Sequence, residues 1–360
     1  MTKFPHAIAV AALVSATPAL AQSQVVNVYN WSDYIADDTI ANFTAETGIA
    51  VNYTNYSSNE ELDSRLAIGN SGYDIVVPSG SFLERQITTG RLQPIDRSAL
   101  SNYGNLSAID LENAAVHDPG NAHSVPYMSF TVGIGYNAGA VAQRFGEDFE
   151  VESWDLMFDP ENAAKLADCG IAVLDSPSEI VGVALNYLGL DPNTTSEDDL
   201  NQAEELLLGL RPHVRYFDSA RYIDDLASGE ICAAIGYSGD TFIAADAAAE
   251  GIEVGYVIPA EGTLITYDLL AIPVDAPNVE NAHKFIDYIL RPEVTAAISN
   301  AVFFASANDA ATELVDPEVR DNPGIYPSAE VAAKGFSLSA RPVDFDRLLT
   351  RSWRRIKSGI

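Results

Sequence analysis

From residue 25 onward the chain alternates short apolar runs with end-marked amphipathic segments, and that alternation restricts its fold more than any other feature. Residues 25–29 (VVNVY) read as a strand, Asp37 or Asp38 can cap a helix that stops at Gly48, and residues 49–56 read as the next strand. Ser58 and Glu61 have the spacing of a capping box for a helix ended by Gly69; residues 74–77 form a compact strand, and Ser81 with Glu84 repeats the box. Strand, helix, strand, helix in units this short implies parallel pairing and an α/β layer fold. The pattern returns later, with a buried strand at 170–174 leading to a helix near Pro177. Leu200, Ala203, Leu207 and Leu210 have helical spacing up to Arg211-Pro212. Strands follow at 231–235 and 255–258, then a helix carrying Ala282, Phe285, Ile286 and Ile289 that ends at Arg291-Pro292. A chain of 360 residues exceeds one ordinary core. With no repeat and no low-complexity linker, the two α/β blocks are expected as lobes joined by crossing strands, with a cleft between them.

The first residues are set apart from the fold. Lys3 precedes a small, apolar run at 7–16, and Ala19-Leu20-Ala21 matches a small-x-small cleavage pattern, so residues 1–21 read as a signal peptide with the mature chain starting near Gln22. The run is too short to span a bilayer, and no later window approaches the length a spanning helix needs. Export exposes the chain to oxidising conditions, which predicts a structural disulfide between its two cysteines, Cys169 and Cys232. Two cysteines cannot make an all-thiolate zinc site, and their separation rules out a CxxC redox centre.

Charge narrows the partners. The chain carries 51 acidic and 20 basic residues, a formal charge of −31. That balance argues against nucleic acid, whose phosphates need a basic face. A solvated acidic coat explains most of it, and cationic partners are favoured only in general terms.

Four carboxylates stand at telling positions. Asp268 interrupts residues 264–270 (LITYDLL), otherwise a buried strand, where a carboxylate is costly unless paired; it either holds a turn, pairs with an internal arginine or binds a ligand. Asn30-Trp31-Ser32-Asp33-Tyr34 ends the first strand, the end at which α/β ligand sites gather, and offers two aromatic faces beside a carboxylate and a hydroxyl; Asp33 as a cap between packed aromatics is the alternative. Glu179 lies three residues after Ser176 and could complete a capping box, and Asp240 after Gly236-Tyr237-Ser238-Gly239 could be an N-cap. Together these place carboxylates and aromatics at element ends. The combination suits an organic ammonium, which has donors and no acceptor and is attracted by aromatic faces. Each buried methylene adds about 0.8 kcal/mol, so a four-carbon linker contributes roughly 3 kcal/mol.

Enzyme constellations are thin. His117, His123, His213 and His283 show no HxxxH, HxH or carboxylate-flanked metal spacing, so no metal is expected, and neither a GxSxG elbow nor a P-loop is present. Gly133-Ile134-Gly135-Tyr136-Asn137-Ala138 fits a permissive dinucleotide fingerprint, but residues 130–136 read as one continuous strand, so no nucleotide cofactor is expected. A secreted hydrolase working through a carboxylate pair is the alternative of a different class.

Residues 28–35 (VYNWSDYI) closely resemble the opening strand of bacterial periplasmic polyamine-binding proteins of ABC importers, most of all the putrescine-binding members. Residues 74–79 (DIVVPS), 185–189 (LNYLG) and 322–327 (NPGIYP) resemble the same family, in the same order. The resemblance runs from about Val25 to the C-terminus. It implies a two-lobed periplasmic binding protein fold of type II, each lobe a mixed sheet flanked by helices, with residues 22–128 and 259–312 in one lobe and 129–258 and 313–360 in the other. It also implies a monomer that closes around a polyamine in the interlobe cleft, works without a cofactor and delivers its ligand to an inner-membrane ABC permease. Putrescine is the first candidate, with spermidine, cadaverine and agmatine behind it. By resemblance, Ser32 and Asp33 hold one ammonium, Trp31 and Tyr34 wall the aliphatic chain, Asp240 and Asp268 hold the other end, and Glu179 contributes from the second lobe. Ser79 matches a family site position, although the helix N-terminus beside it disfavours a cation. Cys169 and Cys232 match the family's disulfide. Three positions depart from the putrescine-binding pattern: Tyr237 stands for a tryptophan, Phe304 for a tyrosine and Thr266 for an aromatic residue.

Overall fold

A computed structural model describes residues 24–359. The signal peptide expected at 1–21 lies outside the described residues. Eleven strands are found among the described residues: β1 (Val25–Trp31), β2 (Ala50–Tyr56), β3 (Ile75–Val76), β4 (Leu92–Gln93), β5 (Ser124–Asn137), β6 (Ile171–Val173), β7 (Val214–Phe217), β8 (Ala233–Tyr237), β9 (Val254–Val257), β10 (Ile265–Pro273) and β11 (Ala305–Ser306). They join in the order β2-β1-β3-β10-β5-β8-β6-β7, with β4 beside β10 and with β9 and β11 beside β5. The parallel pairing implied by the alternation is present twice, β1 with β2 and β3, and β6 with β7 and β8. Antiparallel β5 and β10 make the sheets mixed.

β5 is common to both groups. Up to Thr131 it pairs with β10, and from Val132 it pairs with β8 and β9. The chain therefore passes from one α/β group to the other along this 14-residue strand and returns between β9 and β10. Gly133 and Gly135 lie inside this ladder and form no phosphate-binding turn. A Cβ at Gly133 would sit 2.5 Å from the Val257 carbonyl oxygen, so the missing side chain is what lets β9 close on β5. The disulfide Cys169–Cys232, with its Cα atoms 5.5 Å apart, ties together the starts of β6 and β8, where the Cys232 amide also donates to the Gly170 carbonyl at 3.0 Å.

Helix ends follow the expected signals in part. The helix Thr39–Thr47 ends at Gly48, whose left-handed φ of 70° suits a residue without a Cβ. Ser58 accepts from the Glu61 amide at 3.2 Å, but the Glu61 carboxylate turns to the Ser57 amide, leaving the box half made. The box expected at Ser81 and Glu84 is absent. That helix, Gly80–Thr88, starts after Ser79, whose hydroxyl is engaged elsewhere, and Glu84 accepts from the Ala340 amide at 3.0 Å. The last helix, Val343–Ser358, packs on Glu197–Leu210 through an Arg355–Glu204 pair with Nε to Oε1 at 2.6 Å.

Candidate functional site

The carboxyl ends of the parallel strands converge. Trp31 ends β1, Tyr56 ends β2 and Tyr237 ends β8; Ser79 follows β3 and Ser219 follows β7. This is where ligand sites form in sheets of this kind. A cavity of about 470 Å³, counted to its mouth, opens there. Of the predicted residues, Trp31, Ser32, Asp33, Tyr34, Tyr237, Asp240, Asp268 and Phe304 line it. Ser79, Glu179 and Thr266 do not; they line a smaller neighbouring cavity, and Ser79 and Glu179 bear on the first through Asp268 and Tyr237.

Asp268 reaches the cavity because β10 is irregular. Its register against β5 jumps from the Asp268–Met128 pair to the Leu269–Pro126 pair, skipping Tyr127, and such a bulge re-aims the side chain it carries. The Ser79 hydroxyl donates to Asp268 Oδ1 at 2.6 Å and is itself held by Asn59 Nδ2 at 2.9 Å. The Tyr34 hydroxyl, buried, stands beside the same carboxylate without completing a hydrogen bond. No arginine among the described residues meets Asp268, so an internal ion pair is not what keeps it there. Burial pushes its pKa up to about 8, against the pull of Ser79 and Tyr34 and with a further push from Glu179 and Asp240.

Asp240 and Glu179 are not helix caps. The helix Ser238–Asp246 starts two residues before Asp240, whose carboxylate accepts from Tyr222 Oη at 2.8 Å. Burial raises its pKa to about 7. Glu179, in the first turn of Pro177–Tyr187, accepts from Tyr237 Oη at 2.7 Å and is likewise raised by burial to about 7. Tyrosine hydroxyls thus brace both acids. Asp33 is the exposed carboxylate of the set and takes a left-handed backbone, φ 50°, in the turn after β1.

Aromatic rings form the walls. Tyr34 and Phe304 meet edge to face at 4.9 Å between centroids, Phe130 and Tyr237 at 5.3 Å, and Trp31 leans on Tyr56 at 4.6 Å. Trp31 is fixed by its Nε1–H, which donates to the Val77 carbonyl at 2.9 Å. Phe304 lies over Gly239, where any side chain would strike its ring. Three aspartates and six aromatic residues face the cavity, and no lysine, arginine or histidine among the described residues lines it.

Sequence reasoning missed Tyr56, Ser57, Phe130, Ser219, Ala220 and Ile223 of the lining, and Tyr222 behind Asp240. The strand-end rule that singled out Trp31 would have found Tyr56-Ser57 and Ser219-Ala220 had it been applied to every parallel strand; Tyr222, within a short helix, carries no such signal. It also missed Glu60, a part-buried acid with raised pKa that accepts from Ser178 Oγ at 3.0 Å.

Residues 38–327 match the model of the family described as bacterial extracellular solute-binding protein. The chain belongs to that family. Among curated relatives, this solute-binding protein is 50% identical over 350 residues to the putrescine-binding periplasmic protein PotF of Escherichia coli, covering 96% of this chain and 95% of that one. It is 49% identical over 356 residues to the putrescine-binding periplasmic protein SpuD of Pseudomonas aeruginosa, covering 98% and 97%. Among solved structures, a Listeria monocytogenes protein titled as a spermidine/putrescine ABC transporter superposes with a TM-score of 0.84 at 30% identity, covering 93% of this chain and 99% of that one. The fold is the two-lobed, mixed α/β fold of periplasmic binding proteins.

Proposed function

We propose that this solute-binding protein captures a polyamine, putrescine first, in the periplasm and hands it chemically unchanged to an inner-membrane ABC importer. The observation that carries the reading is a cavity that holds three aspartates among aromatic rings with no basic side chain to balance them. Burying such charge is unfavourable until a cation arrives, and an alkyl diamine supplies ammonium ends together with methylenes for the rings. The names of the relatives that share half of its residues point to the same ligand class. In this reading Ser32 and Asp33 receive one ammonium at the mouth, Asp240 and Asp268 receive the other, and Trp31, Tyr34, Tyr237 and Phe304 cover the chain between them. Ser79 and Glu179 orient that set from behind. The lobes divide near 128/129 and 258/259, within β5 and just after β9, with the cleft between them.

Tyr237, smaller than the tryptophan of the putrescine-binding pattern, leaves room in the cavity that cadaverine, agmatine or spermidine could use, whereas Thr266 lines only the neighbouring cavity. Calorimetry of the mature protein against these four amines tests the proposal. Saturable binding with the amine recovered intact is expected, which also separates a receptor from the carboxylate hydrolase. A folded protein that binds none of them overturns the reading.

A further inference from the structure

Away from the aromatic cavity, a second and larger groove runs between the helix Gly80–Thr88 and the start of Val343–Ser358. Arg85, Arg91, Arg341, Arg347, Arg351 and Arg354 line it, against three carboxylates, Asp63, Glu84 and Asp346. Six of the chain's 20 basic residues thus share one concave surface of a molecule whose formal charge is −31. The local excess of positive charge is opposite in sign to the net charge of the chain.

The three acids serve only part of this set. Arg85 pairs with Asp63 and Asp346, and Arg91 with Asp63 at 2.7 Å. Arg341 is part-buried, donates to the Pro192 carbonyl at 2.7 Å and leaves its Nε without a partner. Arg347 has only Asp344, three residues earlier on its own helix and almost fully exposed, a contact of small worth. Arg351 and Arg354 are exposed and have no hydrogen bond or ion pair among the described residues. Arg347, Arg351 and Arg354 follow the i, i+4, i+7 spacing of one helix face. That helix begins in the groove without a side-chain cap, which adds the positive end of its dipole.

We propose that this groove docks an acidic segment of a partner protein. The groove, about 1630 Å³ with the open solvent at its mouth included, is wider than a small anion needs, and a stripe of arginines along a helix matches a row of carboxylates rather than a single one. Its concave shape suits a peptide segment better than a flat lipid surface. A partner there would touch Arg85 and Arg91 from one side and the C-terminal helix from the other.

The test uses the mature protein and a fluorescent glutamate-rich peptide of about a dozen residues, followed by anisotropy at low salt. Saturable binding is expected, weakening about tenfold or more as salt rises from about 20 to 150 mM, over which the screening length falls from roughly 20 to about 8 Å. The triple variant Arg347→Ala, Arg351→Ala, Arg354→Ala should lose at least about tenfold in peptide affinity while polyamine titration is unchanged, because these side chains are exposed and none of them lines the aromatic cavity. No saturable binding, or equal binding by the triple variant, overturns the proposal. So does any of three other results: phosphatidylglycerol vesicles binding where the peptide does not, inorganic phosphate displacing the peptide at low millimolar concentration, or self-association of the protein that the triple variant abolishes.

Discussion

At Asp268 a carboxylate is held among strands and rings with one hydroxyl donor and no cation, and its pKa of about 8 expresses the conflict. An unfolded aspartate titrates near 3.9. Between those two pH values the folded, ligand-free chain keeps a proton that the unfolded chain releases, so this group makes the protein less stable as pH rises from about 4 to 8 and adds nothing further above. Asp268→Asn keeps the shape and removes the titration. The ligand-free variant should therefore unfold at higher denaturant concentration than the parent at pH 8, with a gain on the order of a few kcal/mol. The same variant should lose about 2 kcal/mol or more of amine affinity, the cost of removing one side of a buried charged contact. A variant less stable than the parent at pH 8 would mean that the Ser79 bond outweighs the burial. Tyr237→Phe isolates a different contact. Without the phenol, Glu179 loses the main bond that holds its pKa down, and amine binding at pH 7 should weaken by roughly 1 kcal/mol, read by calorimetry.

At the scale of elements, each lobe brings its strand ends to one place, and closeness of backbone makes this possible. Gly133 faces the Val257 carbonyl, so Gly133→Ala forces β9 off β5 and should cost about 1–3 kcal/mol in chemical denaturation. An unshifted midpoint would show that β9 moves aside freely. Elements were the most legible part of the sequence, because hydrophobic period and glycine stops are local: β1, β2 and the helix ended by Gly48 lie within a residue or two of their expected bounds. Cap assignments failed at Ser81, Glu179 and Asp240 for one physical reason. The carboxylates of Glu84, Glu179 and Asp240 are taken by partners 256, 58 and 18 residues away, and spacing within a turn carries no information about such partners. Their placement beside aromatic residues was visible all the same, since a carboxylate inside an apolar run is conspicuous whatever it turns out to touch.

For the whole molecule, most of the −31 formal charge lies on exposed side chains, while Asp240, Asp268, Glu179 and Glu60 are withdrawn from water and carry raised pKa values. Coupling among them links the strand group of β10 to that of β8, since Asp268 on β10 feels both Glu179 and Asp240, and Asp240 feels Asp33. A dication entering this group lowers every one of those pKa values, so binding must expel protons that the free site holds at neutral pH. The amine itself stays charged throughout, as lysine does below about 10.4. Affinity should therefore rise as pH increases from 6 to about 8, where Asp268 ionises unaided, and level off beyond. Each pH unit below a displaced group's pKa costs about 1.4 kcal/mol, so a drop of at least about tenfold is expected from pH 8 to pH 6. Calorimetry at pH 7 in two buffers of different ionisation enthalpy counts the protons directly, with about two expected to leave per amine bound, roughly one from Asp268 and about half each from Asp240 and Glu179. Asp268→Asn should lower that number, and the remainder should follow Asp240 and Glu179. A pH-independent affinity, or proton uptake on binding, would mean that the carboxylates are already ionised in the free protein and that some group other than the ligand balances them.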